Sequence, residues 1–198
     1  MIFEYLKLNI NVKDEEFNVI YPEHIRKLAK RHWTPIAVAK IAAQFLVDKP
    51  GTKVLDIGSG AGKFCMVGSA YTKGLFTGIE QREYFFQLSN RLKQSYHLSN
   101  VEFIHSNITN INFKDYHAFY FFNSFFENID ITAMIDDTVK SDILLYNLYS
   151  KYVREQLSEM PIGTRLVTYW SSLKEVPFGY KIQSTSLEGL LKMWEKTS

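Results

Sequence analysis

The hydrophobic period changes at Pro50-Gly51, and the predicted elements divide there. Before that point the pattern is helical. The first twenty residues are mixed, with Phe3, Tyr5, Leu6 and Leu8 preceding the acidic run Asp14-Glu15-Glu16. Pro22 suits a first helical position, and Ile25, Leu28 and Ala29 share one face of a helix running to His32. Thr34 as N-cap and Pro35 as first helical residue open a second helix, to about Asp48. It is apolar nearly all round; Lys40 and Gln44, four residues apart, form one narrow strip facing solvent.

After Pro50-Gly51, short apolar runs alternate with helical spacing. Strands are predicted at Lys53–Ile57, Leu75–Ile79, Val101–His105, His117–Phe122 and Thr164–Trp170. Between them lie helices from Gly62 to Tyr71, over Phe85, Leu88, Leu92 and Tyr96, and from a cap at Ser141 or Asp142 to about Met160. Strands alternating with helices of ten or more residues mean a parallel sheet covered on both faces, and right-handed crossovers make it doubly wound. Tyr180–Ser186 and Leu190–Lys196 flank Glu188-Gly189 and read as a terminal hairpin, with a helix over 187–195 as the alternative.

Composition narrows the class. A chain of 198 residues, 46% hydrophobic and 15% aromatic, supports one well-filled core plus a short N-terminal extension. A formal net charge of +2 gives no strong signal for nucleic acid or an anionic membrane. One cysteine excludes a disulfide framework, and no Cys/His set has zinc-ligand spacing. No run approaches the length of a membrane span, and Met1–Glu16 lacks the basic-then-apolar pattern of a signal peptide. A cytoplasmic protein is expected. Arg26, Lys27, Lys30 and Arg31, with His24 and His32, read as a solvated helix face, or less simply as a contact for an acidic partner.

The candidate chemistry sits after the first strand, in Asp56-Ile57-Gly58-Ser59-Gly60-Ala61-Gly62-Lys63. Ligands of a doubly wound sheet bind at the carboxyl ends of its strands. Glycines there let the backbone approach a ligand and aim helix N–H groups at it. The spacing is G-x-G-x-G rather than the G-x-G-x-x-G of dinucleotide sites, which suits a nucleoside joined to an amino-acid moiety without phosphate. Glu80 ends the second strand, 22 residues after Gly58. A carboxylate there can accept from both ribose hydroxyls, each bond contributing about 1.5–3 kcal/mol.

Asp56 to Gly62 together with Gly78-Ile79-Glu80 resembles the first two cofactor motifs of class I S-adenosylmethionine-dependent methyltransferases, over roughly Thr34 to Trp170. The resemblance implies a Rossmann-like α/β fold of seven strands in the order 3-2-1-4-5-7-6, mostly parallel with an antiparallel terminal hairpin strand. Residues 1–33 would be a helical extension or lid on a domain of residues 34–198. It further implies that Asp56 and the backbone of Gly58, Ser59, Gly60 and Gly62 hold the methionine end of S-adenosylmethionine, and that Glu80 holds the ribose. After the third strand, where the family often has an acid near adenine, this chain has Asn107, whose side-chain carbonyl can accept from the adenine amino group. Ile108 packs against the purine in this reading, and Gln81 and Arg82 join the same wall. Thr34, in His32-Trp33-Thr34-Pro35, belongs to the segment that family members bring over the cofactor.

The family's fourth motif faces the transferred methyl, and here it reads Asn123-Ser124-Phe125-Phe126-Glu127. Seven of the eleven residues from Tyr116 to Phe126 are aromatic; those before Asn123 belong to the core, whereas Phe125 and Phe126 suit the walls of an acceptor slot. Asn123 resembles the first position of the Asn-Pro-Pro-Tyr run of amide methyltransferases, but both of its prolines are missing here. Asn123-Ser124-Phe125 and the run Asp56-Ile57-Gly58-Ser59-Gly60 with Lys63 are also similar to the disruptor-of-telomeric-silencing lysine methyltransferases. The whole pattern is similar to uncharacterised bacterial methyltransferase-like proteins. Methyl transfer needs alignment and an unprotonated acceptor rather than a metal. For an amine of pKa near 10.4, deprotonation at neutral pH costs about 4 kcal/mol, which an apolar slot helps to offset. The implied activity is methyl transfer to an amine or amide of a protein or small molecule, with Asn123 and Phe125 at the acceptor. A non-catalytic nucleoside-binding module and a nicotinamide-dependent oxidoreductase are the alternatives. The glycine spacing and the lack of a Tyr/Lys or His catalytic pair oppose the latter.

Overall fold

The computed structural model describes residues 1–130, 135–136, 139 and 142–198, and the side chains of Lys30 and Arg31 lie outside that description. The chain opens with α1 (Ile2–Lys7), α2 (Asp14–Asn18) and α3 (Glu23–His32), followed by α4 (Ile36–Leu46). Then come β1 (Lys53–Ile57), α5 (Lys63–Tyr71), β2 (Leu75–Glu80), α6 (Glu83–Ser95), β3 (Val101–His105) and β4 (Ala118–Phe122). The rest is α7 (Ile143–Ser158), β5 (Arg165–Tyr169), β6 (Tyr180–Ser186) and β7 (Leu191–Lys196).

The strands form one sheet in the order β3-β2-β1-β4-β5-β7-β6. Neighbours from β3 through β5 run parallel, while β7 is antiparallel to both β5 and β6. The hairpin is therefore the correct reading of the C-terminus. Leu187 and Glu188 take left-handed backbone (φ 52° and 56°) ahead of Gly189, a tight turn that a helix over these residues would forbid. The chain winds outward from β1 to β3, then returns to place β4 on the other side of β1, so a crevice opens where β1 and β4 end.

The central strands β1, β4 and β5 feed two cores by their period of two. Val54, Ala118, Tyr120 and Val167 face one side, packed with α4, α5, α6 and the N-terminal helices. Leu55, Ile57, Phe119, Phe121 and Leu166 face the other, against Tyr146, Tyr149, Val153 and Leu157 of α7. α5 is buried along its whole length, which explains its lack of a polar face. Phe64 on α5 stacks on Tyr120 of β4 at 3.8 Å.

Two local expectations shift. α1 and α2 had no counterpart in the hydrophobic period, because six and five residues are too few to display one. They fold because Phe3, Leu6 and Phe17 are buried in the same core as β1. Thr34 does not cap α4: its hydroxyl pairs with the Tyr120 hydroxyl at 3.0 Å, Pro35 occupies the cap position, and the leading amide, Ile36 N–H, donates to the Asp14 carboxylate at 3.1 Å. Asp142 caps α7 by accepting from Leu144 N–H at 2.7 Å; Ser141, the other candidate, is outside the described residues. In the basic cluster of α3, Arg26 and Lys27 are exposed and Lys27 pairs with Glu23 at 3.2 Å. Among the described residues no helix is long and apolar enough to cross a membrane, and no group of three or more His, Cys, Asp or Glu side chains is arranged to hold a metal.

Candidate active site

A cavity of about 430 Å³ opens over the carboxyl ends of the strands. Gly58 and Gly60 reach it from β1, Ile79, Glu80, Gln81 and Arg82 from β2, and Ser106, Asn107 and Ile108 from β3. The stretch Phe122 to Glu127 enters from β4, Tyr169 and Trp170 from β5, and His32, Trp33 and Pro35 from the segment joining α3 to α4. Ten of the residues expected from the sequence thus line one cavity: Gly58, Gly60, Glu80, Gln81, Arg82, Asn107, Ile108, Asn123, Phe125 and Phe126. Asp56, Ser59, Gly62 and Thr34 do not line it.

Gly58 and Gly60 have φ of 75° and 52°, which only glycine adopts without strain. The second is also crowded: a Cβ on Gly60 would fall 2.4 Å from the Trp33 ring. Trp33 therefore closes down on the turn, fixed by its indole N–H donating to the Ile25 carbonyl at 3.1 Å. The Tyr21 hydroxyl donates to the Ala61 carbonyl at 3.2 Å, and Lys63 just beyond donates to Asp14 and Asn18. The glycine turn is held from above by the N-terminal helices. Lys63 is buried, and that burial draws its pKa down against the opposing pull of Asp14.

Glu80 is buried at the tip of β2. One carboxylate oxygen accepts from Gly60 N–H at 2.9 Å and the other from Arg82 N–H at 2.8 Å. Each oxygen keeps a lone pair for a further donor. Burial raises the Glu80 pKa, and the Arg82 amide and charge pull it back. Arg82 in turn donates through Nη2 to Glu127 at 2.6 Å and through Nε to Asp136 at 3.0 Å.

Asp56 lies beneath the turn, 4% exposed, with Cys65 Sγ 3.4 Å from its carboxylate. Burial raises its pKa to about 7. The same burial pushes the Cys65 thiol up, so Cys65 is a small core side chain and not a thiolate activated by the helix start. Ser59 Oγ is buried without a hydrogen-bond partner. Asn107 is committed internally. Its Oδ1 accepts from both the amide and the hydroxyl of Thr109, at 3.0 and 2.9 Å, which also fixes the amide's orientation. Its Nδ2 donates to Tyr149 at 2.9 Å and Gln81 at 3.3 Å. The expected acceptance from an adenine amino group finds no spare lone pair on this oxygen. Tyr149, which lines the cavity from the middle of α7, carried no sequence signal that separates it from a core residue.

Just beyond β4, Asn123 has φ 42°, an uncommon backbone for a residue with a side chain. Phe126 N–H closes a turn onto its carbonyl at 3.0 Å, and Ser124 Oγ donates to the Ile57 carbonyl. Phe125 is buried against Phe121 and Tyr149, while Phe126 is only partly covered.

The sheet order, its antiparallel last strand and the cavity at the strand tips define a Rossmann-like methyltransferase fold. The chain belongs to the methyltransferase-domain family, which matches residues 48–188. Among curated proteins none matches it by sequence. Among solved structures it is similar to TrmN from Thermus thermophilus, with 18% identity and a TM-score of 0.60, over 86% of this chain and 51% of that one. It is similar to a mutant of MtNAS in complex with S-adenosylmethionine, with 12% identity and a TM-score of 0.60, over 98% of this chain and 72% of that one. It is also similar to an RNA methyltransferase from Salinibacter ruber in complex with S-adenosyl-L-homocysteine, with 16% identity and a TM-score of 0.56, over 83% of this chain and 94% of that one. The chain thus spans about half the length of TrmN. The likeness of Asn123-Ser124-Phe125 to the disruptor-of-telomeric-silencing enzymes is not carried by these matches.

S-adenosylmethionine is the cofactor that a methyltransferase domain implies, and the cavity fits it. Glu80 keeps two free lone pairs for hydroxyl donors, and Gly58 and Gly60 bring main chain to the cavity lining, with Ser124 and Trp33 packed where side chains on them would lie. The charged side chains on the wall include two carboxylates, Glu80 and Glu127, against the Arg82 guanidinium, a balance suited to a cationic ligand.

Proposed function

We propose that this protein transfers a methyl group from S-adenosylmethionine to an amine or amide nitrogen of a protein or small molecule. The observation that carries the reading is the continuity of one cavity from Glu80, at the tip of β2, to Asn123 and Phe126, beyond the tip of β4. Donor and acceptor can meet within it. The cofactor supplies an activated methyl on a sulfonium, so the chain's own residues have only to bind, orient and exclude water. Glu80 accepts from the ribose hydroxyls, while the backbone of Gly58 and Gly60 serves the amino-acid end; Asp56, buried beneath that turn, supports it from below. Ile108 and Gln81 flank the base.

Asn123 orients the acceptor by accepting from its N–H. Phe126, with Trp33, Tyr169 and Trp170, walls the slot and favours the uncharged amine. Residues 1–33, ending at His32 and Trp33 on the rim, act as its lid. The test is a methyl-tritiated donor offered to native lysate with the purified protein, followed by identification of whatever becomes labelled. Label on nitrogen is expected. Donor binding with no label in any protein or metabolite pool would replace this reading with a non-catalytic binding module, and label on carbon or oxygen would overturn the acceptor assignment.

A further inference from the structure

Arg82 joins two loops that belong to different halves of the reaction. Its main-chain N–H holds one oxygen of Glu80, whose other oxygen holds Gly60 of the glycine turn. Its side chain runs the opposite way, to Glu127 through Nη2 and Asp136 through Nε. The guanidinium is 5% exposed and the Glu127 carboxylate 10% exposed, so both are largely removed from water. A desolvated cation is tolerated only where several acceptors satisfy it in good geometry. The planar fork meets that demand by using two different nitrogens for two different carboxylates. Glu127 sits in the short turn Phe126–Asn128, which begins with Phe126 N–H on the Asn123 carbonyl and continues with Asn128, Ile129 and Asp130 N–H on the carbonyls of Phe125 and Phe126. Hydrogen bonds therefore link Gly60 to Glu80, Glu80 to Arg82 and Arg82 to Glu127, whose covalent neighbour Phe126 bonds to the Asn123 carbonyl.

We infer that Arg82 is a positioning residue that ties the acceptor-side turn to the ribose-binding carboxylate, so that a filled donor site sets the geometry of the acceptor site. This rests on the donor and acceptor assignments proposed above. A ligand that engages Glu80 orders the peptide of Arg82, and the fork passes that order to Glu127 and its turn. The coupling is reciprocal, as any equilibrium linkage between two sites must be.

The test is amide hydrogen exchange of the full chain with and without saturating S-adenosyl-L-homocysteine, comparing wild type, Arg82→Gln and Glu127→Gln. Saturation removes differences in affinity. The Gly60 amide reports occupancy of the donor site, and Asn128, Ile129 and Asp130 report the turn. In wild type, ligand is expected to slow the turn amides by about fivefold or more, the lower end of ordinary coupling. In each variant Gly60 should still slow while the turn amides change by less than about twofold, because the link and not the site has been cut. Glu127→Gln leaves Arg82 paired with Asp136, which guards against a fold lost to an uncompensated buried carboxylate. Equal slowing of the turn in wild type and in both variants overturns the inference. So does a wild-type turn that ignores ligand while Gly60 responds. If Gly60 does not respond in wild type, the donor assignment itself fails and the inference falls with it.

Discussion

Asp56 carries a buried carboxyl that holds its proton into the neutral range. Its carboxyl, sealed beneath the glycine turn beside Cys65, titrates at about 7. In the unfolded chain an aspartate titrates near 3.9. Between those values the folded protein keeps a proton that the unfolded chain has released, so stability falls as pH rises through the window and levels off above it. The full loss is about 4 kcal/mol at pH 8.5 relative to acid. Replacing Asp56 by Asn keeps the shape and an oxygen for the Cys65 thiol to donate to, but adds no charge. A buried amide bears its own desolvation cost of about 1–2 kcal/mol, so Asp56→Asn should stabilise the free protein by about 2–3 kcal/mol at pH 8.5. For a chain of this size that raises Tm by roughly 4–12 °C. The assay is urea unfolding of both proteins from pH 5 to 8.5, taking the difference so that all other groups cancel. The variant's advantage should grow with pH and saturate near 8. An advantage that is flat with pH, or a variant less stable at pH 8.5, would refute the assignment of a buried, proton-holding Asp56.

Three further outcomes follow from particular contacts. Glu80→Ala should weaken S-adenosyl-L-homocysteine binding by about one to two powers of ten in calorimetry, since charge-assisted hydrogen bonds are lost; unchanged affinity would remove Glu80 from the ribose site. Asn123→Ala and Asn123→Gly should both lower turnover of the labelled acceptor more than donor affinity. Gly tolerates the φ of 42° that costs Ala about 1 kcal/mol, so a deficit shared by both belongs to the amide and not to strain. Asp14→Ala should cost about 1–3 kcal/mol in unfolding, because it leaves the buried Lys63 ammonium with Asn18 as its remaining partner and uncaps Ile36; no measurable loss would show that Asn18 alone satisfies Lys63.

What the sequence revealed and what it concealed differ in range. Each strand lies within about a residue of its expected bounds, because a short apolar run between Gly and Pro punctuation is a local signal. The place of Gly58, Gly60, Glu80 and Asn123 on the cavity lining was equally legible, since each stands at the end of a strand whose neighbours name it. The groups that hold them in place were not. Asp14 serves Ile36 and Lys63 across 22 and 49 residues, and Arg82 reaches Glu127 and Asp136 across 45 and 54. No window in the chain contains such a pair, and an aspartate beside two glutamates looks like a solvated helix start until the partner is placed over it. Asn107 fails in the complementary way: its position on the cavity wall was visible, but its carbonyl is spent on Thr109, two residues on, in a turn that spacing alone does not predict. A ligand-facing residue is marked by where it sits on a strand, whereas a bracing residue is marked only by its partner. The bracing contacts are therefore where variants of this protein should surprise a reader of its sequence, and Arg82 and Asp14 are the two places where that difference can be measured.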